Sequence, residues 1–254
     1  MSPFRFAAVA FVLLLAAPIP KQVQAQVQAP AFPAEQRAAV RDVLVDNPEV
    51  LEVLLRHPEI LQEASHVLVK KAEAQREALT SNAKALFDDG VSYVAGNPKG
   101  DVTLVEFFDY RCGYCKQVQS SLITLIKEDP KLRVVLKELP VLGPDSVIAA
   151  RAAIAALEQD KGGKYFAFHN AMMGFRGQLT EPEVFRMAAA SGLDLTRLKA
   201  DMAAPKVEQV IRANLALAEK LGINGTPGFV IGKELVPGAI SLDSMRQLVK
   251  AARG

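Results

Sequence analysis

Apolar positions along the chain follow three successive patterns. From Phe6 to Ala17 they form an unbroken run behind a single positive residue, Arg5. That run is short for a bilayer, which takes about 20 residues, and the small-residue patterns Val23-Gln24-Ala25 and Val27-Gln28-Ala29 follow it. Residues 1–25 therefore read as a secretory signal peptide. In residues 26–90 the apolar positions thin out to helical spacing. Val40, Val43 and Leu44 mark a first helix, and Asn47-Pro48-Glu49-Val50-Leu51 recurs ten residues on as His57-Pro58-Glu59-Ile60-Leu61. Proline suits the first helical position and asparagine the N-cap before it, so the text predicts helix, break, helix, break. A third helix over about Pro58 to Phe87 carries Leu61, Ala64, Leu68, Ala72, Leu79, Ala83 and Leu86 on a stripe too sparse for a core of its own.

After Asp88-Asp89-Gly90 the spacing changes again. Val91 to Val94 predicts a short edge strand, and Val102-Thr103-Leu104-Val105-Glu106-Phe107-Phe108 runs almost continuously apolar, as a strand covered on both faces does. Gly113 to Asp129 returns to helical spacing, and Leu132 to Pro140 predicts a second strand, which completes a βαβ unit. Helices are expected over Ser146–Gln159, Lys164–Phe175, Glu181–Ser191, Asp194–Met202 and Pro205–Leu221. The chain closes with an apolar strand through Phe229-Val230-Ile231, a hairpin partner at Lys233 to Gly238, and an amphipathic helix from Leu242 to Ala252. The expected organisation is a helical arm over 26–90 and an α/β domain over 91–254 that carries a helical insertion at about 144–221.

Charge narrows the function. The 30 basic and 28 acidic residues give a net +2, but the leader holds Arg5 and Lys21 and no acid. The remainder is balanced, which gives no support to nucleic-acid or anionic-membrane binding. Half the residues are apolar, enough to bury a core without staples.

The chain has only two cysteines, Cys112 and Cys115. A bridge between them closes a very small loop, so it makes a poor structural staple. Cys112 falls at the start of the helix predicted from Gly113 and Cys115 one turn in. Unpaired N–H groups and the positive end of the helix dipole stabilise a thiolate there, by about 0.3–1 kcal/mol, and Arg111 and Lys116 are expected to add to this. These features predict Cys112 as nucleophile, Cys115 as the resolving thiol, and Glu106, the one carboxylate in the apolar strand, as proton relay for Cys115. A copper(I) site on the two thiols is an alternative. A zinc site lacks spaced ligands: His57 and His66 lie in the arm as cap and surface residues, and His169 reads as part of a packed helix face.

Glu106-Phe107-Phe108 ahead of Cys112-Gly113-Tyr114-Cys115 at a strand-to-helix junction resembles the DsbA-type thiol:disulfide oxidoreductases of the bacterial periplasm, which have a thioredoxin fold. The Gly113-Tyr114 dipeptide is similar to that of DsbC-type isomerases, and a helical arm ahead of the domain is similar to the suppressor-of-copper-sensitivity C proteins, some of which oligomerise through such arms. The resemblance implies a helical insertion beside the site and a cis Thr226-Pro227 bond, with Gly113, Tyr114, Thr226 and Pro227 meeting the substrate. It implies no cofactor beyond a redox-active Cys112–Cys115 disulfide. The partners it implies are cysteine-containing exported proteins, a membrane thiol-disulfide redox protein, and further copies of the chain joined through the arm. Disulfide isomerase or reductase work is the expected direction, with dithiol oxidase work as the alternative.

Overall fold

The arm is helical where its periodicity predicts. The computed structural model describes residues 34–161 and 163–254; the expected signal peptide lies outside the described residues. Helices α1 (Ala34–Asp46), α2 (Pro48–Arg56), α3 (Pro58–Ser81) and α4 (Ala83–Phe87) follow one another. Pro48 opens α2 at its N-terminus, as expected, but Asn47 makes no side-chain cap. Its amide instead donates to the Val43 carbonyl at 2.8 Å, so it closes α1 and satisfies one of the carbonyls that a helix end leaves without a partner. The expected third helix is two, because the chain breaks at Asn82 between α3 and α4.

Two compact units divide the chain between Gln62 and Glu63. This lies well before the boundary expected at residue 90. Leu79 and Leu86 account for the difference: both are buried in a cluster with Val105, Phe107 and Val135 of the sheet, so the end of α3 and all of α4 belong with the second unit. In the first unit, α2 has no buried residue and exposes Val50, Leu51, Val53 and Leu55.

The second unit is built on a five-stranded sheet in the order β1-β3-β2-β4-β5. Its strands are β1 (Tyr93–Gly96), β2 (Val102–Phe108), β3 (Leu132–Glu138), β4 (Gly228–Ile231) and β5 (Glu234–Pro237). β2 and β3 run parallel and are joined by α5 (Gly113–Glu128); β1 lies antiparallel to β3, β4 to β2, and β5 to β4. Alternation along the strands sends Leu104 and Phe108, with Leu132, Val134 and Leu136, to a large core face that also holds both cysteines. Val105, Phe107, Val135 and Val230 point the other way, against α4 and the end of α10 (Pro205–Leu221).

The insertion between β3 and β4 comprises α6 (Pro144–Ala156), a short 3₁₀ turn, α7 (Lys164–Gly174), α8 (Glu181–Ala190), α9 (Leu195–Met202) and α10. Its ends follow sequence punctuation. Proline sits in the first turn of α6, α8 and α10, the Asp194 carboxylate caps α9 by accepting from Arg197 N–H at 2.9 Å, and Gly222, at φ 70°, ends α10 in the left-handed region that glycine adopts without cost. The last helix, α11 (Leu242–Arg253), is capped by Ser241.

Candidate active site

The C-terminal end of β2 delivers the chain through Asp109-Tyr110-Arg111 into α5, with Cys112 as the N-cap residue in extended backbone. Cys112 is 7% exposed and Cys115, one turn in, is fully buried. Both are free thiols. The Cys112 thiol donates to the Thr226 carbonyl at 3.1 Å, and the Thr226-Pro227 bond is cis. Gly228 follows at the start of β4, where an added Cβ would meet the Ile223 side chain at 2.8 Å. A larger residue there would force the Ile223 side chain to shift. A hollow of about 220 Å³ beside it is lined by Ile223, Thr226, Pro227, Leu235 and Val236 among others. Tyr114, between the two cysteines, is 66% exposed. The folded chain thus brings Cys112, Gly113, Tyr114, Cys115, Thr226 and Pro227 to one place. A larger hollow, lined by Thr103, Ile231 and Leu248 among others, lies toward the start of β2, away from the thiols.

Glu106 sits on the central strand, between Leu136 of β3 and Phe229 of β4. It is completely buried, and neither carboxyl oxygen has a hydrogen-bond partner among the described residues. Burial pushes its pKa up to about 8, because removal from water disfavours the charged form. Burial also pushes the Cys115 thiol far up, and the nearby Glu106 charge adds to the effect. A carboxyl with a raised pKa beside a thiol that resists ionisation can exchange a single proton with it.

The expected help from Arg111 and Lys116 takes a different form. An Arg111 N–H donates to the Leu142 carbonyl, and the Lys116 ammonium donates to the carbonyls of Phe175 and Met172. Neither side chain is bonded to the Cys112 sulfur; both tie the active-site turn to neighbouring segments.

Asp109 escaped notice in the sequence. Its buried carboxylate accepts from Arg111 N–H and the Ser146 hydroxyl on one oxygen and from the N–H groups of Val141 and Leu142 on the other. Four hydrogen bonds from two segments hold the turn ahead of Cys112. An acid three residues before the N-cap is the only local signal, since three of its four partners lie more than thirty residues away. His169 is packed inside, as its helix pattern predicts. It faces the Tyr110 hydroxyl at 3.0 Å and the Gln119 amide at 3.1 Å, and burial holds its pKa down at about 3. Among the described residues no group of three or more His, Cys, Asp or Glu comes together.

Comparison with known proteins places this geometry. The family described as "DSBA-like thioredoxin domain" matches residues 103–250. A solved thioredoxin-like oxidoreductase from Silicibacter pomeroyi is 48% identical, with a TM-score of 0.64 over 67% of this chain and 96% of that one. The catalytic domain of Proteus mirabilis ScsC is 29% identical, with a TM-score of 0.65 over 70% and 98%. Among curated proteins, the Na(+)/H(+) antiporter NhaA 3 of Salinispora tropica is 27% identical over 167 residues, 65% of this chain and 25% of the antiporter. The chain spans about a quarter of the length of the first such curated relatives.

Proposed function

The chain belongs to the DSBA-like thioredoxin domain family, and from that premise we propose that it is an envelope thiol:disulfide oxidoreductase, exported to the periplasm, acting on cysteines of other exported polypeptides. The observation that carries this reading is the Cys112 thiol at the N-cap of α5, 3.1 Å from the Thr226 carbonyl, with Cys115 buried behind it.

The chemistry is thiol–disulfide exchange. The Cys112 thiolate attacks one sulfur of a client disulfide, a Cys112–client bond forms as the client S–S bond breaks, and the departing sulfur leaves as a thiolate and takes up a proton. Cys115 then loses its proton, for which Glu106 is the nearby acceptor, and attacks the Cys112 sulfur. This forms the Cys112–Cys115 disulfide, the redox group for which no added cofactor is needed, as the Cys112–client bond breaks and the second client sulfur leaves as a thiolate, so that two electrons have passed to the client. In isomerisation a second client thiolate instead attacks the client sulfur of the mixed disulfide, so that a new client disulfide forms, the Cys112–client bond breaks and Cys112 leaves as the thiolate. The backbone of Thr226, ahead of Pro227, offers an edge to an extended client segment by strand addition, and Gly113 and exposed Tyr114 lie between the two cysteines.

For the direction, we favour isomerase or reductase work by an assembly of several copies joined through the arm. Support comes from the apolar side chains that α2 leaves exposed; burial against further copies would hold several dithiol sites in one particle. This direction needs a membrane thiol-disulfide partner to keep the pair reduced. Refolding of a disulfide-scrambled test protein and insulin reduction test the reading: wild type is expected to perform both and Cys112→Ser neither. Equal performance of the two proteins removes the exchange reading. A Cys112–Cys115 pair found oxidised in the envelope of intact cells replaces isomerase work with the oxidase alternative.

A further inference from the structure

Two hollows flank Cys112, and they differ in chemistry. The one beside Thr226 and Pro227 is largely apolar and suits an extended backbone. The other, about 480 Å³, opens past Gly113 and is bordered by Arg111, Lys116, Gln117, Phe175 and Arg176. Three of those residues are cationic and none is acidic. Among the described residues, none of the three cations makes an ion pair, although Arg151, Arg246, Arg253 and other cations of the same unit do.

The backbone contacts hold the cations in place without neutralising them. Lys116 donates to the carbonyls of Phe175 and Met172, which leaves one of its three N–H groups for a further partner. Arg111 is held through Leu142, and the exposed Arg176 is in contact with the Met173 carbonyl. Burial, and then the nearby Arg176 charge, lower the Lys116 pKa, with the Asp109 charge opposing them. Asp109 is the acid whose charge acts on Lys116, and its oxygens already accept four hydrogen bonds. Among the described residues the like charges therefore line the groove with no acid beside them. The first N–H groups of α5, a sixteen-residue helix, add the positive end of a dipole at Gly113.

We propose that this groove is a subsite for a carboxylate-bearing stretch of the client polypeptide, next to the cysteine that reacts with Cys112. The proposal rests on the exchange reading above and adds the class of client. An extended segment crossing Cys112 lays its backbone along Thr226 on one side and places glutamate or aspartate side chains against Arg176, Lys116 and Arg111 on the other, with Phe175 covering their methylenes. A nucleic-acid or lipid-surface ligand fits less well. The patch is one groove on a chain whose charges otherwise balance once Arg5 and Lys21 are set aside, and such ligands need an extended basic face.

The test uses the full chain and two peptide disulfides that differ only in the residues on both sides of the cysteine, glutamate in one and lysine in the other. At low ionic strength the glutamate peptide is expected to exchange about tenfold faster, the size of effect that two or three partly exposed ion pairs produce. About 1 M salt, where the screening length falls to roughly 3 Å, should shrink the difference. Arg176→Glu should reverse it, slowing the glutamate peptide and speeding the lysine peptide. Equal rates for the two peptides with wild type, or a preference that survives Arg176→Glu, overturn the subsite and leave the exchange reading standing. Failure of wild type to exchange either peptide overturns the exchange reading and the subsite with it.

Discussion

Helix α2 exposes Val50, Leu51, Val53 and Leu55 and buries nothing, whereas β2 and β3 bury Glu106, Lys137 and Glu138 almost completely. One region holds apolar groups in water and the other polar groups out of it, and each arrangement costs free energy unless a partner compensates. Inside the second unit most partners are present. Lys137 donates to Asp89 at 2.6 Å and to Ser92 at 3.1 Å, and the Tyr165 hydroxyl donates to Glu138 at 2.7 Å. Of these three side chains Glu106 is the exception, with neither oxygen satisfied among the described residues. The buried groups with partners serve architecture. The buried acid without one, on the face of the sheet that carries the thiols, is where chemistry is to be sought, and the uncovered apolar face of the arm is where a second molecule is to be sought.

The largest effect tests the satisfied interior. Burial works against the charge of Asp89, yet Lys137, Ser92 and the backbone N–H groups of Ser92 and Val91 hold its pKa down at about 2. A depressed carboxylate pKa means that this stabilisation is in place above the ordinary value of 3.8 and is lost as pH falls through about 2. Asp89→Asn leaves the Lys137 ammonium buried and uncompensated, so denaturant unfolding at pH 7 should show a loss of about 3–5 kcal/mol. Adding Lys137→Met should recover most of that loss. If Asp89→Asn alone is as stable as wild type, the pair is not what allows a lysine into the sheet.

The unsatisfied acid should behave in the opposite way. With its folded pKa raised to about 8 from 4.5, Glu106 keeps a proton in the folded chain that the unfolded chain has released, so its contribution to stability falls as pH rises between those values. Glu106→Gln removes this titration. Its stability relative to wild type should therefore increase by about 3 kcal/mol between pH 5 and pH 8, while attack by Cys115 on the mixed disulfide slows. A pH-independent difference in stability would mean that Glu106 finds a partner or water in solution.

The same contrast explains what could be read from the sequence. The apolar run Val102–Phe108 was legible as a covered strand because both faces of β2 are buried, and one charge in it stood out for that reason. Pro144, Pro205 and Gly222 mark helix ends through local backbone preferences, which travel with the sequence. Asp109 was not legible, because its function depends on Val141, Leu142 and Ser146 arriving from another segment. The boundary expected at residue 90 failed for a related reason: Leu79 and Leu86 follow the helical spacing of the arm, and only the opposite face of the sheet shows where they are buried.

The smallest effect on folding, and the most informative about the arm, belongs to Leu55. It is 74% exposed on α2, so Leu55→Glu removes no buried contact within the chain, and its effect on unfolding should stay within about 0.5 kcal/mol. If the arm joins copies through this face, the same change places a carboxylate in an apolar contact, and light scattering across a range of concentrations should show the particle mass falling. A chain that begins at Glu63 should show the same fall in mass and keep its exchange activity, since the thiols, Glu106 and the Thr226 loop all lie in the second unit. The cut cannot be made at Val91, because that removes Leu79 and Leu86 from the core and confuses loss of assembly with loss of folding. An unchanged mass for both Leu55→Glu and the shortened chain would separate oligomerisation from the arm and leave its exposed apolar face for a different partner.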